Sequence, residues 1–417
     1  MLESMKDIIT QARESKEAWS FLRCASTATK NEFLRHLESC LRASVLDILE
    51  ANRKDLAEHV DSTPAMRKRL ELTESSINAI ADGVRDIGLL QDPVGTVVRS
   101  WTRPDGLRID RVRTPIGVIL FIFESRPNVV IDVAALCVKS GNAVLLRPGK
   151  EALHSCVAFL RCIRDALSQA GLPENSVQLI EDRRHEAVNE LVQLDAYIDL
   201  VIPRGRESLI KAVCDHSRVP VIKHMRGLCH AYIDAAADPQ KAISIAINAK
   251  TSNPATCNSV ETILVHEAAS DTVMPMLLAS LREKGVEIRG CPKTRAYVPE
   301  CVAATEQDWD TEYLDLIVSI KIVSSLDEAL EHIAHHSSGL TDSIITEDKE
   351  AAEAFVHKVD SATVLVNASN RLTDGGQFGL GAEVGISTAR IHMRGPMGLE
   401  DLTVPAYRVI GTGHIRH

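Results

Sequence analysis

The sequence predicts an α/β protein built from two tandem α/β domains. Between Gly117 and Ile222, short apolar runs such as GVILFIF and AVLLR alternate with helical segments, which is the pattern of parallel strands joined by crossover helices. A second alternation of the same kind begins near Leu228 and continues to the run ATVLVNA at residues 362–368. The chain has 417 residues, 45% of them hydrophobic, which is enough apolar material for two separate cores.

The residues before Gly117 predict helices followed by a hairpin. In the first hundred residues, apolar side chains recur at three- and four-residue steps between charged positions, which indicates an amphipathic helical face. The segment VVRSWTRPDGLRIDRVRTP then places the turn Pro104-Asp105-Gly106 between two short strands, so we predict a hairpin at about 96–114. The predicted helical face consists of Phe33, Leu34, Leu37, Leu41, Val45, Leu46, Ile48 and Leu49.

The two alternations predict five strands in the first domain and six in the second. We expect a brief crossing between the domains near residues 223–228, because the chain has no long linker rich in Pro, Gly or Ser. The predicted strands are GVILFIF, AVLLR, VQLI, YIDLVI and VPVI in the first domain, and AYID, ETILVH, EIRG, IVSIKIV, SIITE and ATVLVNA in the second.

Charge and hydropathy exclude some classes of partner. The 47 Lys and Arg residues are outnumbered by 57 Asp and Glu residues, for a formal net charge of -10, so we expect neither nucleic acid nor a membrane as a partner. The longest apolar run, at 116–123, is far shorter than the ~20 residues that span a bilayer, and the N-terminus lacks the apolar core of a signal peptide. The sequence therefore predicts a cytoplasmic protein.

The common nucleotide-binding motifs are missing, and one cysteine stands out instead. The segment FIFESRPNVV after the first buried strand contains no glycine, so it has no GxGxxG fingerprint, and the Walker A pattern is missing too. Cys257 lies on the loop KTSNPATCNS between a predicted helix and a predicted strand, where its sulfur can reach a substrate. By itself, one cysteine out of ten only weakly indicates catalysis, because free cysteines are mostly packed and inert.

Five long segments, in the same order, resemble the gamma-glutamyl phosphate reductases, a family of the aldehyde dehydrogenase superfamily. The resemblance implies an aldehyde-dehydrogenase-like fold with a cofactor-binding domain at 1–227 and a catalytic cysteine domain at 228–405. It also implies oligomerisation through the hairpin and through the tail at 406–417. The segments are GVILFIFESRPNVVIDVAALCVKSGNAVLLRPGKEA, YIDLVIPRG, VPVIKHMRGLCHAYID, NAKTSNPATCNSVETILV and LTDGGQFGLGAEVGISTARIHMRGPMGLEDL.

The resemblance implies a reaction in which Cys257 is the nucleophile. Its thiolate would attack L-glutamate 5-phosphate and release phosphate, and hydride would reduce the thioester to L-glutamate 5-semialdehyde, a precursor of proline. Asn128, in SRPNVV, matches the family's oxyanion-binding asparagine and would work with the backbone amide of Cys257. The alternative for Asn128 is a helix cap, a common role for an asparagine after a strand.

The same resemblance implies NADPH as the cofactor. Arg147 and Lys150 stand at the strand end that holds the adenosine ribose, where a glutamate favours NAD and cations suit the 2′-phosphate of NADPH. The alternative is a solvated charge pair at the start of a helix. Glu312 matches the glutamate that holds the nicotinamide ribose.

Cations in the matched segments are candidates for binding the carboxylate and phosphate of the substrate. We rank Arg126 first because it lies two residues from Asn128, and the alternative for each cation is an ordinary structural ion pair. His332, His335 and His336 have a helical spacing compatible with metal ligation, but without a carboxylate or cysteine partner we predict a solvated helix end and no metal. The substrate-binding candidates are Arg126, Arg204, His392 and Arg394.

Two other functions stay open at this point. Oxidising aldehyde dehydrogenases hydrolyse their thioester with water activated by a glutamate in the segment matching 219–228, and this chain has no carboxylate there, which disfavours a hydrolytic enzyme. A catalytically silent scaffold bound to the upstream glutamate 5-kinase is disfavoured by the presence of both Cys257 and Asn128. We expect a homo-oligomer, with glutamate 5-kinase as a candidate partner.

Overall fold

The computed structural model describes residues 2–60, 64–184, 186–223 and 226–416. They form two compact units. Unit 1 comprises Met1–Lys223, Gly379–Gly385 and Met397–His417, and unit 2 comprises His224–Phe378 and Ile386–Pro396. The sequence predicts a continuous second domain through residue 405, whereas the structure returns two late segments to unit 1, the second of which contains the strand that pairs with the hairpin there.

Unit 1 begins with five helices, of which the first packs against the parallel sheet of the unit and the second packs against the fifth. The predicted face of α2 is confirmed, since Phe33, Leu34, Leu37 and Leu41 are all buried. The face does not continue unbroken into α3, because Ser44 separates the two helices and leaves Leu46 77% exposed. The helices are α1 (Leu2–Leu22), α2 (Thr27–Ala43), α3 (Val45–Glu58), α4 (Pro64–Leu70) and α5 (Glu74–Leu89).

The predicted hairpin is confirmed and gains a third strand. Strands β1 (Val97–Thr102) and β2 (Arg108–Pro115) pair antiparallel around a turn in which Gly106 has φ +87°. The last strand of the chain, β16 (Thr403–Ile410), pairs antiparallel with β2 along its whole length. Part of the predicted C-terminal tail is therefore the third strand of a sheet with the order β1-β2-β16.

The core of unit 1 is a parallel sheet with the order β5-β4-β3-β6. Every residue of β3, the predicted doubly buried strand, is indeed buried. The strands are β3 (Val118–Phe123), β4 (Ala143–Pro148), β5 (Val177–Leu179) and β6 (Leu200–Arg204), and the helices that connect or follow them are α6 (Val129–Lys139), α7 (Leu153–Gln169), α8 (Glu186–Leu191) and α9 (Glu207–His216).

The fifth predicted strand of this domain, VPVI, is wrong as an extended strand. Only an isolated bridge joins Val221 to Val201 of β6. Val201 donates its N–H to the carbonyl of Pro220 at 2.9 Å and accepts from the N–H of Ile222 at 3.0 Å. Pro220 has no N–H to extend the ladder on one side of this bridge, and Pro203 of β6 has none to extend it on the other.

Unit 2 contains a seven-stranded parallel sheet with the order β10-β9-β11-β8-β7-β12-β13. It includes all six predicted strands and adds the two-residue β10, which is too short to leave a sequence pattern. The strands are β7 (Cys229–Ile233), β8 (Val260–His266), β9 (Glu287–Gly290), β10 (Val302–Ala303), β11 (Ile317–Val323), β12 (Thr341–Ile345) and β13 (Thr363–Val366).

Five helices accompany the sheet of unit 2, and two further strands, β14 (Gly385–Ser387) and β15 (Gly395–Met397), form a separate two-stranded sheet. Among the described residues, no helix is long and apolar enough to cross a bilayer. The helices of unit 2 are α10 (Pro239–Thr251), α11 (Glu267–Glu283), α12 (Pro292–Tyr297), α13 (Leu326–His336) and α14 (Lys349–Lys358).

Candidate active site

Cys257 lies on the short loop between α10 and β8, and its side chain is partly exposed. The neighbouring residues hold the loop in place. Asn258 is buried, donates its side-chain amide to the carbonyl of Thr373 at 2.8 Å and accepts from the guanidinium of Arg371. Ser259 is also buried and donates its hydroxyl to the carbonyl of Ala249 in α10 at 3.3 Å. The loop therefore presents a partly exposed thiol on a fixed backbone.

The backbone of Cys257 is held from the other side by Gly227. A Cβ atom at position 227 would lie 1.9 Å from the carbonyl oxygen of Cys257, so only glycine allows this approach. The same carbonyl oxygen accepts the S–H of Cys229 at 3.3 Å. Because burial raises the pKa of the Cys229 thiol well above its usual range, that thiol keeps the proton it donates.

Gly227 also connects Cys257 to Glu312, the predicted cofactor ligand. The N–H of Gly227 donates to Oε1 of Glu312 at 2.9 Å. One glycine thus contacts the carboxylate of Glu312 through its nitrogen and the peptide of Cys257 through its Cα. The structure brings these two predicted site residues of unit 2 into one cluster.

In unit 1, Asn128 and Arg204 lie around a carboxylate that the sequence reading missed. Asn128 precedes α6 but makes no side-chain capping hydrogen bond, and its amide instead donates to Oδ2 of Asp132 at 3.0 Å. Burial raises the pKa of Asp132 to about 6, against the opposing effects of the Asn128 hydrogen bond and the charge of Arg204. Arg204 also donates to the carbonyl of Val384 at 3.2 Å.

The loops after β3, β4 and β6 are tied together at the carboxyl edge of the parallel sheet. Ser125, with the unusual φ of +52°, donates both its N–H and its hydroxyl to Oε1 of Glu151, each at 2.7 Å. Glu124 accepts from the N–H of Arg206 at 3.0 Å. Sequence reasoning missed both glutamates, although Glu151 directly follows Lys150 in the segment RPGKEA.

Arg147 and Lys150, the two predicted cofactor-binding cations, have different environments. Arg147 is 9% exposed and donates to the carbonyls of Pro148 at 3.0 Å and Arg184 at 3.2 Å, so its guanidinium joins the loops after β4 and β5. Burial lowers the pKa of Arg147, opposed by nearby carboxylates including Glu151. Lys150 is exposed at the start of the single 3-10 turn that precedes α7. Arg147 is therefore not part of a solvated charge pair, the alternative given above for these two cations.

The remaining substrate candidates differ in exposure and in the unit to which they belong. Arg126 is partly exposed on the loop that carries Asn128. His392 is exposed in unit 2. Arg394 pairs with Asp360, with its guanidinium 2.6 Å from Oδ1 and also donating to the carbonyl of that residue at 2.6 Å, which is the structural ion pair named as the alternative. Hydrogen bonds from Arg394 and from Arg390 lower the pKa of Asp360.

One of the three histidines of α13 is buried and is not part of a solvated helix end. His332 is buried, with its Nδ1 3.4 Å from Nζ of Lys321 and its ring 5.3 Å from that of Trp309, so the solvated-end prediction is wrong for this residue. Burial lowers the pKa of His332 to about 2, which keeps it neutral at physiological pH. Within the described part of the chain, no group of three His, Cys, Asp or Glu side chains is placed to hold a metal.

Comparison with known proteins assigns the family. The model of the aldehyde dehydrogenase family matches residues 2–291. The gamma-glutamyl phosphate reductase of Rhodospirillum rubrum is 50% identical over 98% of this chain and 96% of that protein. That of Nautilia profundicola is 47% identical over 99% of this chain and 100% of that protein. The chain belongs to the gamma-glutamyl phosphate reductases of the aldehyde dehydrogenase family.

Solved structures support the same assignment and confirm the predicted fold class. The crystal structure of gamma-glutamyl phosphate reductase from Thermotoga maritima has a TM-score of 0.96 at 47% identity and covers 98% of this chain and 100% of that chain. An acetylating aldehyde dehydrogenase from Geobacillus thermoglucosidasius has a TM-score of 0.74 at 19% identity, covering 100% of this chain and 99% of that chain. At that identity the second likeness shows the aldehyde dehydrogenase fold alone.

Membership of the aldehyde dehydrogenase family implies a nicotinamide cofactor, and unit 1 has features that fit one. Open α/β sheets bind ligands beyond the carboxyl ends of their strands, and in this chain those ends carry the loops joined by Glu124 and Glu151. An exposed cation, Lys150, stands on one of these loops.

The contact between Gly227 and Cys257 can be tested by adding one methyl group. We expect Gly227→Ala to lower turnover by about 10² or more, because the added Cβ must displace the peptide of Cys257 and small displacements of a nucleophile are costly. Gly290→Ala is the matched control, since the atoms nearest its Cβ would belong to the side chains of Thr294 and Cys301, at 2.8 and 2.9 Å, and not to a backbone. Equal turnover in the two variants would contradict a specific role for Gly227.

Proposed function

We propose that this chain catalyses the NADPH-dependent reduction of L-glutamate 5-phosphate to L-glutamate 5-semialdehyde and phosphate, a step of proline biosynthesis. The relatives at 46 to 50% identity over almost the full chain are named for this reduction. The observation that carries the proposal is the partly exposed Cys257, fixed on its loop and joined through Gly227 to Glu312.

Cys257 acts as the nucleophile. Its thiolate attacks the acyl carbon of the substrate, the bond to the phosphate oxygen breaks, and phosphate leaves a thioester on the sulfur. The nicotinamide, when bound, supplies the hydride that reduces this thioester. Asn128 and the backbone N–H of Cys257 donate hydrogen bonds to the oxyanion. The hydrogen bond from Asn128 to Asp132 supports this role, because it orients the amide without using it as a helix cap.

The cofactor roles divide between the two units. We assign the nicotinamide ribose to Glu312 and the 2′-phosphate to Lys150, whose exposed ammonium suits a phosphate. Arg147 supports this loop from within, because its donors already bind two backbone carbonyls. Among the substrate candidates, Arg126 and Arg204 rank above Arg394, since the guanidinium of Arg394 already donates to Asp360.

The alternative activities are less well supported. A hydrolytic enzyme needs a general base for water, and the segment 219–228 contains no carboxylate, although residues 224 and 225 lie outside the described residues. A silent scaffold does not account for a partly exposed cysteine on a loop anchored at both ends. An association with glutamate 5-kinase stays a proposal based on the shared acyl phosphate.

We also propose a cytoplasmic homo-oligomer that associates through the sheet β1-β2-β16. This sheet exposes apolar side chains in unit 1, and such surfaces commonly mark protein interfaces. Sedimentation of the purified chain tests the association. The apolar side chains, each at least half exposed, are Val97, Val98, Tyr407, Val409 and Ile410.

The activity is tested in the reverse direction. The purified chain should form NADPH from the semialdehyde and NADP⁺ only when phosphate is present, because phosphate must release the acyl group from Cys257.

Cys257→Ala should abolish turnover while NADPH still binds. Cys301→Ala, which removes another partly exposed thiol of unit 2, should leave turnover unchanged. Phosphate-independent NADPH formation would indicate the hydrolytic enzyme, and activity retained in Cys257→Ala would exclude the covalent mechanism.

Asn128 should affect the rate far more than the stability. We expect Asn128→Ala to lower turnover by about 10² or more, the loss typical of removing one oxyanion donor. Asn128→Ala removes no capping bond but does remove the hydrogen bond to Asp132, so the melting temperature should fall by only a few degrees. Both are measured on the same preparation. Near-normal turnover with a lower melting temperature would assign Asn128 a structural role.

Lys150→Glu should change the choice between cofactors. The two cofactors differ by one phosphate, so replacing attraction by repulsion should lower the NADPH to NADH ratio of kcat/KM by at least about tenfold. A general loss of folded protein would lower kcat/KM for both cofactors equally, so it would leave their ratio unchanged. Lys284→Glu, a charge reversal at an exposed lysine of unit 2, should leave the ratio unchanged. An unchanged ratio in Lys150→Glu would move phosphate recognition to another residue.

A further inference from the structure

Two oppositely charged residues flank the Cys257 loop and are completely enclosed. Lys250 lies in the last turn of α10, and Glu261 is the second residue of β8. Their side chains are 0% and 2% exposed, and Nζ of Lys250 is 2.7 Å from Oε2 of Glu261. The pair therefore connects the helix before the Cys257 loop to the strand after it.

Stability alone does not account for such a pair. Removing two charges from water costs several kcal/mol per ion, and apolar residues of similar volume often replace a buried pair without loss of stability. Here burial raises the pKa of Glu261 to about 7 and lowers the pKa of Lys250, so desolvation outweighs the mutual attraction.

The pair also contacts a third segment, residues 312–314. The second carboxylate oxygen of Glu261 accepts from the N–H of Leu314 at 3.4 Å. Nζ of Lys250 lies 6.0 Å from the ring centroid of Tyr313, within range of a cation–π interaction. Leu314 has φ +54°, a left-handed conformation that costs a leucine about 1 to 2 kcal/mol and persists only where its surroundings impose it.

This third segment begins with Glu312. Its carboxylate accepts from Gly227, and Gly227 packs on the carbonyl of Cys257. These contacts form a closed ring. The loop joins Cys257 to the ion pair, and Leu314 joins the ion pair to the segment of Glu312. Gly227 then joins Glu312 to Cys257. A change at the ion pair must therefore move both the nucleophile and the glutamate assigned to the cofactor.

We propose that Lys250 and Glu261 are positioning residues that fix the Cys257 loop and the Glu312 segment relative to each other. This inference rests on the proposed function. The pair does not touch the reacting atoms. It sets the geometry in which the thioester on Cys257 meets the hydride donor, because both are held on backbone segments that the pair connects.

The test replaces the pair by apolar residues of similar shape. Lys250→Met combined with Glu261→Leu should keep the melting temperature near that of the parent protein, yet lower kcat in the phosphate-dependent assay at least tenfold. The KM for the semialdehyde should stay within about threefold, and so should the rate at which iodoacetamide labels Cys257. A folded double variant with normal kcat would overturn the proposal, and so would labelling that falls in parallel with kcat.

Two single substitutions cover the case in which the double variant does not fold. Glu261→Gln keeps the length of the side chain and an oxygen for Leu314, but its amide NH2 then meets the ammonium of Lys250, so it should lower kcat at least tenfold. Glu261→Asp keeps the charge but withdraws the carboxylate by one methylene, so it should lose at least tenfold. Normal kcat in a folded Glu261→Asp protein would overturn the proposal.

The matched control is a second buried pair in unit 1. Nζ of Lys30 is 2.5 Å from Oδ2 of Asp92, with side chains 1% and 7% exposed. Lys30→Met with Asp92→Leu should leave kcat within twofold. An equal loss in the two double variants would mean that neutralising any buried pair impairs the enzyme, which would overturn a specific role for Lys250 and Glu261.

Failure of the proposed function is visible in the parent protein alone. A parent protein without phosphate-dependent NADPH formation would refute the proposed function, while the positioning proposal is judged by the difference between variant and parent. If the parent protein lacks that activity, the positioning proposal is tested by the Kd for NADPH, measured by the fluorescence of NADPH. It should rise at least threefold in the double variant because Glu312 moves, and an unchanged Kd would overturn the proposal.

Discussion

The close approach of Gly227 to the carbonyl of Cys257 is the contact on which the arrangement of unit 2 depends. It leaves no room for any side chain at 227, and it uses the N–H of the same residue to hold Glu312. Two residues that are 55 positions apart in the chain, Cys257 and Glu312, are thereby fixed by one peptide. The backbone of Cys257 is fixed by these contacts, which leave the side chain itself partly exposed.

Unit 1 uses carboxylates where many dinucleotide-binding folds use glycines. Glu151 accepts the N–H and the hydroxyl of Ser125, and Glu124 accepts the N–H of Arg206, so loops from three strands are joined without a GxGxxG turn. These acids bring negative charge to a region assigned to a phosphate-bearing cofactor. The buried guanidinium of Arg147 balances part of it, which leaves Lys150 as the exposed cation on the β4 loop.

The sequence was sufficient for what depends on local pattern and insufficient for what depends on distant contacts. Alternating apolar runs predicted every strand of both parallel sheets except β10, but not that Pro220 would stop the fifth strand or that β16 would join β2. Motif resemblance supplied Cys257 and Asn128. Asp132 and Glu151 carry no motif of their own, because their roles arise from partners that only the folded chain brings near.

The carboxylates around Cys257 bear on why its thioester would be reduced and not hydrolysed. Glu261, with a pKa raised to about 7, has the basicity of a good general base, but it is buried and its two oxygens accept from Lys250 and Leu314. Glu312 is occupied by the N–H of Gly227. A carboxylate oxygen that already accepts a hydrogen bond from the protein is less available to take a proton from water. Under the proposed mechanism, these hydrogen bonds disfavour hydrolysis of the thioester on Cys257, which then reacts with hydride or phosphate.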